Sequence, residues 1–134
     1  MTRLAGVVAF AAFMIPIQAT AHHGWSEYDS AKALKLTGKI VESGYEHPHG
    51  HIRFEVKGGG ATAGGGATAG EGATAGKTWN VVLAPPSRME NRGLQKEWLK
   101  AGATATVEGY PNRNKPEEMR AERIIINGKT IELR

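Results

Sequence analysis

The chain has 134 residues, 17 basic and 13 acidic side chains, a formal charge of +4 and no cysteine. A chain of this length makes one domain, and without cysteine it has no disulfide, no thiolate metal ligand and no cysteine nucleophile. Acidic and basic residues are interspersed rather than blocked, so no basic face for nucleic acid is visible, and nucleic acid is not an expected partner.

Residues 1–21 read as a secretory signal peptide. Arg3 supplies the positive start, Leu4 to Ile17 the apolar stretch, and Ala19-Thr20-Ala21 the small-x-small site that signal peptidase reads. The stretch falls short of the roughly 20 apolar residues of a comfortable membrane span, and no second apolar run follows. The expectation is a periplasmic or secreted protein, cut near Ala21 and without stable membrane insertion. Its mature domain would run over 22–134 and begin with His22.

Leu34, Leu36, Gly38 and Ile40 belong to a first strand over about 34–43, with Gly38 permitting a bulge. Ile52, Phe54 and Val56 alternate with His51, Arg53 and Glu55 in a second, half-buried strand. Residues 58–75 are Gly-Gly-Gly-Ala-Thr-Ala twice and then Gly-Glu-Gly-Ala-Thr-Ala. Glycine at that density predicts a flexible loop over 58–76, and a long surface loop adds little closure entropy. Thr78 to Leu83 is a third strand that Pro85-Pro86 stops. Ser87 to Leu99 holds the helical segment, with Leu94 and Trp98 on one face as a plug, and Gly102 ends it. Thr104 to Tyr110 and Met119 to Ile126 are the fourth and fifth strands. Asn127-Gly128 is a type I′ hairpin pair, so Lys129 to Leu133 returns as a sixth.

The result is an all-β chain with one short helix, in the order strand, strand, strand, helix, strand, strand, plus a C-terminal hairpin strand. That is the order of the oligonucleotide/oligosaccharide-binding (OB) barrel, whose helix caps the barrel between its third and fourth strands. Another half-open barrel or a two-sheet sandwich is the competing architecture, and the fold does not fix the function.

Several segments together resemble DUF6152, a family of exported bacterial proteins of unknown function. They are His22-His23, Trp25 to Asp29, Leu36-Thr37-Gly38-Lys39-Ile40-Val41, Pro48-His49 and Trp79. Ala84-Pro85-Pro86-Ser87-Arg88, Arg92 to Leu99 and Val107-Glu108-Gly109-Tyr110-Pro111 complete the set. The glycine-rich hexads depart from the pattern. The resemblance implies an exported β domain and brings no activity with it.

All five histidines fall between residues 22 and 51. A chain beginning at His22 offers a metal its α-amine and its ring together, and a cut one residue earlier makes His23 the third residue of an amine-amide-imidazole chelate. The second cluster is His47, His49 and His51. Residues two apart face one side of an extended chain, and His47 joins them only if the chain stays extended through Pro48. A nitrogen-only set drawn from His22, His23, His47, His49 and His51 suits copper(II) first and zinc second. Glu27, Asp29 and Glu46 lie near histidines in sequence and could orient the rings.

Catalytic motifs are missing: there is no Gly-x-Ser-x-Gly, no His-Glu-x-x-His and no phosphate-cradling loop. No catalytic residue is assigned, and an enzyme is not the expectation. Trp79 and Trp98 read as core, Trp25 and Tyr28 as packing the amino-terminal arm onto the barrel. Arg88, Arg92 and Arg113 read as solvated or paired at the surface. The leading expectation is a metal-handling or metal-sensing barrel. The alternative is a non-catalytic module that holds a peptide, glycan or periplasmic partner protein, and a copper oxidase ranks third.

Overall fold

The structure, a computed structural model, describes residues 24–63 and 76–134, with the backbone alone for 58–63. The expected leader, His22, His23 and residues 64–75 lie outside the described residues. Six strands form one sheet: β1 (Leu34–Gly44), β2 (His51–Ala63), β3 (Thr78–Val82), β4 (Thr104–Pro111), β5 (Glu118–Ile126) and β6 (Lys129–Glu132). Their order is β3-β2-β1-β4-β5-β6, and β3 also pairs with β5. That second pairing is parallel, Asn80 with Glu118, Val81 with Met119 and Val82 with Arg120. It closes β1 to β5 into a barrel and leaves β6 as an extra strand, the small OB-like barrel with one short helix that the element order predicts.

Period-two alternation builds the interior. Leu36 and Ile40 of β1, Ile52, Phe54 and Val56 of β2, Val81 of β3 and Val107 of β4 are all buried. Each large aliphatic or aromatic side chain taken fully from water contributes about 1.5–3 kcal/mol. Gly38 lies close against the β2 backbone: a Cβ there would lie 2.8 Å from the Glu55 carbonyl carbon and 3.0 Å from Val56 Cα. The β1–β2 register shifts at this point, the irregularity that Gly38 signals in the sequence. Strand β2 runs on to Ala63, so residues 58–63 of the glycine-rich tract lie in the strand, with Ala61, Thr62 and Ala63 opposite Leu36, Lys35 and Leu34. A backbone ladder needs partners for its N–H and C=O groups, not side chains to bury, and β1 supplies those partners.

The segment between β3 and β4 is not one helix. It is a six-residue helix, α1 (Pro86–Asn91), then a 3-10 turn over Lys96–Leu99. Pro86 occupies the first turn, where its missing N–H costs nothing. Met89, Leu94 and Leu99 cap the barrel and are buried. Trp98, expected in the plug with Leu94, is only partly buried at its edge, with Lys129 Nζ 5.6 Å from its ring centre. The break between α1 and the turn removes the helical spacing that would put Leu94 and Trp98 on one face. No helix among the described residues is long and apolar enough to cross a membrane.

An amino-terminal arm packs on the barrel as expected. After a 3-10 turn at Trp25–Glu27, Tyr28 bridges to Asn112 and is 3% exposed. Asp29 N–H donates to Pro111 O at 2.8 Å, and Arg113 N–H to Glu27 O at 2.9 Å.

Candidate functional site

The seam where β3 meets β5 is also the floor of a cleft of about 380 Å³. The β1–β2 loop, through Pro48 and His49, forms one wall and Lys115 of the β4–β5 loop the other, and Asn80 and Glu118 line the cleft from the two seam strands. In OB barrels, the face of the second and third strands between these two loops is where ligands bind.

The loop wall is held rigidly. Gly50 N–H donates to Ala84 O at 2.9 Å and Gly50 O accepts from Leu83 N–H at 2.7 Å, so both neighbours of Gly50 are fixed against β3. The His51 ring lies over Gly44 of β1, and His49 and His51 both line the cleft. The sequence expected this from strand alternation, but β2 begins only at His51, and it is the pinned Gly50 that brings His49 alongside. His47 does not line the cleft and is exposed, because the extended run needed to align it has not started.

Each cleft histidine has an identifiable neighbour. His51 Nδ1 lies 3.6 Å from a carboxylate oxygen of Glu46. Of the three acids expected to orient rings, Glu46 stands beside a histidine among the described residues. Asp29 instead accepts from Ala31 N–H at 3.1 Å and pairs with Lys32 and Arg113. His49 Nε2 is 3.2 Å from Arg120 Nη2. A guanidinium can only donate, so Nε2 accepts and the ring proton of neutral His49 sits on Nδ1.

Arg120 carries no motif in the sequence, yet it organises this corner. It is 7% exposed, and its guanidinium carbon lies 4.4 Å from the centre of the Trp25 ring. Arg134 lies 4.8 Å from the same ring, and Tyr110 meets Trp25 edge-on at 6.1 Å. Burial, more than the nearby charges of Arg88 and Arg134, lowers the Arg120 pKa from its ordinary value. A guanidinium nonetheless stays charged at any physiological pH. One buried cation thus touches both the start of the described chain and the His-Pro-His loop.

The opposite corner is a hydrogen-bond network centred on Glu118. Its Oε1 accepts from Tyr28 O–H at 2.8 Å and Asn112 Nδ2 at 3.2 Å, and its Oε2 from Asn80 Nδ2 at 3.4 Å, with Lys115 Nζ 3.9 Å away. Burial, followed by the bond to Glu118, pushes the Tyr28 phenol up to about 12. Asn80 and Glu118 escaped the sequence reading because the β3–β5 pairing joins them across 38 residues, and Lys115, three residues from Glu118, shares a cleft with β3 only through it. Of the arginines read as solvated or paired, Arg88 Nη1 donates to Leu133 O at 3.3 Å and Arg113 Nε to Ser26 O at 3.2 Å, while Arg92 is exposed.

Among the described residues no group of three or more histidine, aspartate or glutamate side chains stands ready to hold a metal ion. His49 and His51 both line the cleft, the first ring on Arg120 and the second over Gly44 beside Glu46, so further donors would have to complete any ligand set. His22 and His23, the other expected ligands, are outside the described residues.

Comparison with curated proteins and with solved structures gave no match. A family of unknown function, DUF6152, matches over residues 11–119, a span that includes the amino-terminal histidines, the His-Pro-His loop, the seam strand β3 and the first residues of β5. With most of its length matched, the chain belongs to the DUF6152 family.

Proposed function

We propose that this protein is exported, cut after Ala21, and handles or senses a metal ion in the periplasm. Copper(II) is preferred to zinc. The ligands are the amino-terminal His22 and His23 with His49, and His51 is the next candidate ahead of His47, which lies outside the cleft. The observation that carries the reading is the Arg120 bridge. Trp25 packs on the guanidinium that holds His49. His22 precedes Trp25 by three residues, so at about 3.3–3.6 Å per residue the chain tethers it within roughly 10 Å of the Trp25 backbone. Nitrogen ligands with no sulfur favour copper(II) at the top of the divalent order.

The bridge also makes a demand on uptake. Copper binding through His49 Nε2 displaces the Arg120 hydrogen bond, and binding through Nδ1 releases the proton held there. The test begins with the mass of the exported protein, which fixes its first residue. Titration of the dialysed protein with cupric salt then gives one ion per chain and a nitrogen-rich EPR spectrum. Replacing His22 and His49 together by alanine abolishes uptake. Stoichiometric uptake unchanged in that double variant, or no uptake by the native chain, refutes the reading.

A further inference from the structure

We infer that the seam cleft is a binding site for a small monocarboxylate, held by Lys115 and Asn80 against an apolar wall of Val82 and Pro48. This goes beyond the metal reading. It rests on side chains to which that reading gives no role, and it is tested on metal-free protein.

The argument is one of accessible groups. Among the described residues that line the cleft one is a carboxylate, Glu118, and its side chain is only 13% exposed. Three donors already bond it: Tyr28, Asn112 and Asn80. Three of its roughly four acceptor sites are thereby taken, which leaves little for a cationic ligand. What remains open is donor-rich. Lys115 is 53% exposed, and its ammonium lies 3.9 Å from Glu118, too far for a full hydrogen bond. Asn80 spends one of its two amide hydrogens on a long 3.4 Å contact. A ligand carboxylate accepts from Lys115 and Asn80 together, and the bond from the ammonium is charge-assisted.

Size and charge narrow the class. A cavity of about 380 Å³ is near the small end for ligand sites and suits a molecule of amino-acid size. Glu118 stands beside the proposed anion, so a doubly charged phosphate meets about twice the repulsion of a single carboxylate. Val82 and Pro48 offer apolar surface for a short body behind the charged end. An acylated amino acid and the carboxyl end of a peptide share this chemistry.

The protein, dialysed against EDTA, is titrated with N-acetylglycine and followed by amide NMR shifts. N-acetylglycinamide is the uncharged isostere and inorganic phosphate the dianion control. Saturable shifts confined to the amides of Gly50, His51, Asn80 and Lys115 are expected, with phosphate at least fivefold weaker. N80A and K115A, both at exposed positions, each weaken N-acetylglycine at least fivefold, while K100A on the far loop changes nothing. Affinity that rises when the probe is lengthened to a tetrapeptide identifies the peptide end as the source, and unchanged affinity the small acid; either supports the site. Equal binding of the isostere, shifts spread over surface lysines without saturation, or undiminished binding by the N80A/K115A double variant overturns the proposal.

Discussion

Replacing Tyr28 by phenylalanine isolates the bond that fastens the arm to the seam. The ring keeps its packing, and the loss is one O–H donor to an ionised carboxylate at 2.8 Å. Such bonds contribute about 1.5–3 kcal/mol. Glu118 keeps the Asn112 and Asn80 donors, at 3.2 and 3.4 Å, so the lower end applies. A cost of about 1.5 kcal/mol lowers Tm by roughly 6–12 °C in a domain of this size. The pH dependence provides a second, sharper readout. The folded phenol titrates at about 12 against 10.0 for an unperturbed tyrosine, so its contribution is full below pH 10 and is lost as pH rises toward 12. At pH 11 the unfolded chain has released the proton and the folded chain has not, which removes about 1.4 kcal/mol from the native protein. Y28F has no phenol to titrate and loses nothing from this group. Urea unfolding of both proteins from pH 8 to pH 11 therefore shows the stability gap closing to near zero. A gap that stays constant over that range, or no gap at pH 8, refutes the reasoning.

Gly109→Ala tests the close approach of β4 and β5. Its Cβ would sit 2.8 Å from Ala121 Cα and from the Arg120 carbonyl carbon, both backbone atoms, so unfolding should show a loss of about 3 kcal/mol, the upper range for overpacking. Gly24→Ala, whose nearest neighbour is Ser26 Oγ at 3.8 Å, should leave the same measurement unchanged. Glu108 lies between Arg123 at 2.8 Å and Lys35 at 2.9 Å, and the hydrogen bonds to them hold its carboxyl below the usual range. Its stabilisation is present above the unfolded value of 4.5 and lost as pH falls through the depressed folded value. E108Q therefore costs about 0.5–1 kcal/mol at pH 7, and a urea-unfolding gap that persists at pH 2 contradicts the assignment.

The barrel was legible because its core follows period two: Ile52, Phe54 and Val56 alternate in the sequence and are buried in the structure. Asn127 and Gly128, both at positive φ, form the hairpin turn their identity signals. Local pattern failed where tertiary partners decide. Strand β2 continues through glycine because β1 is beside it, and the plug splits into α1 and a 3-10 turn, which moves Trp98 to the rim. At the site, spacing found His49 and His51 but not the residues around them. Arg120 looks like any outward arginine on an alternating strand until the arm lays Trp25 across it. The Tyr28–Glu118 contact joins residues 90 apart, a distance no local motif encodes.

The ring of strands is fastened by only three residue pairs between β3 and β5. Three of their members, Asn80, Val82 and Glu118, line the cleft that lies over that fastening. A guest seated there acts as a rivet across the joint. Breathing of the barrel and departure of the guest become one event, and amide hydrogen exchange along β3 and the start of β5 would report occupancy without any label on the ligand.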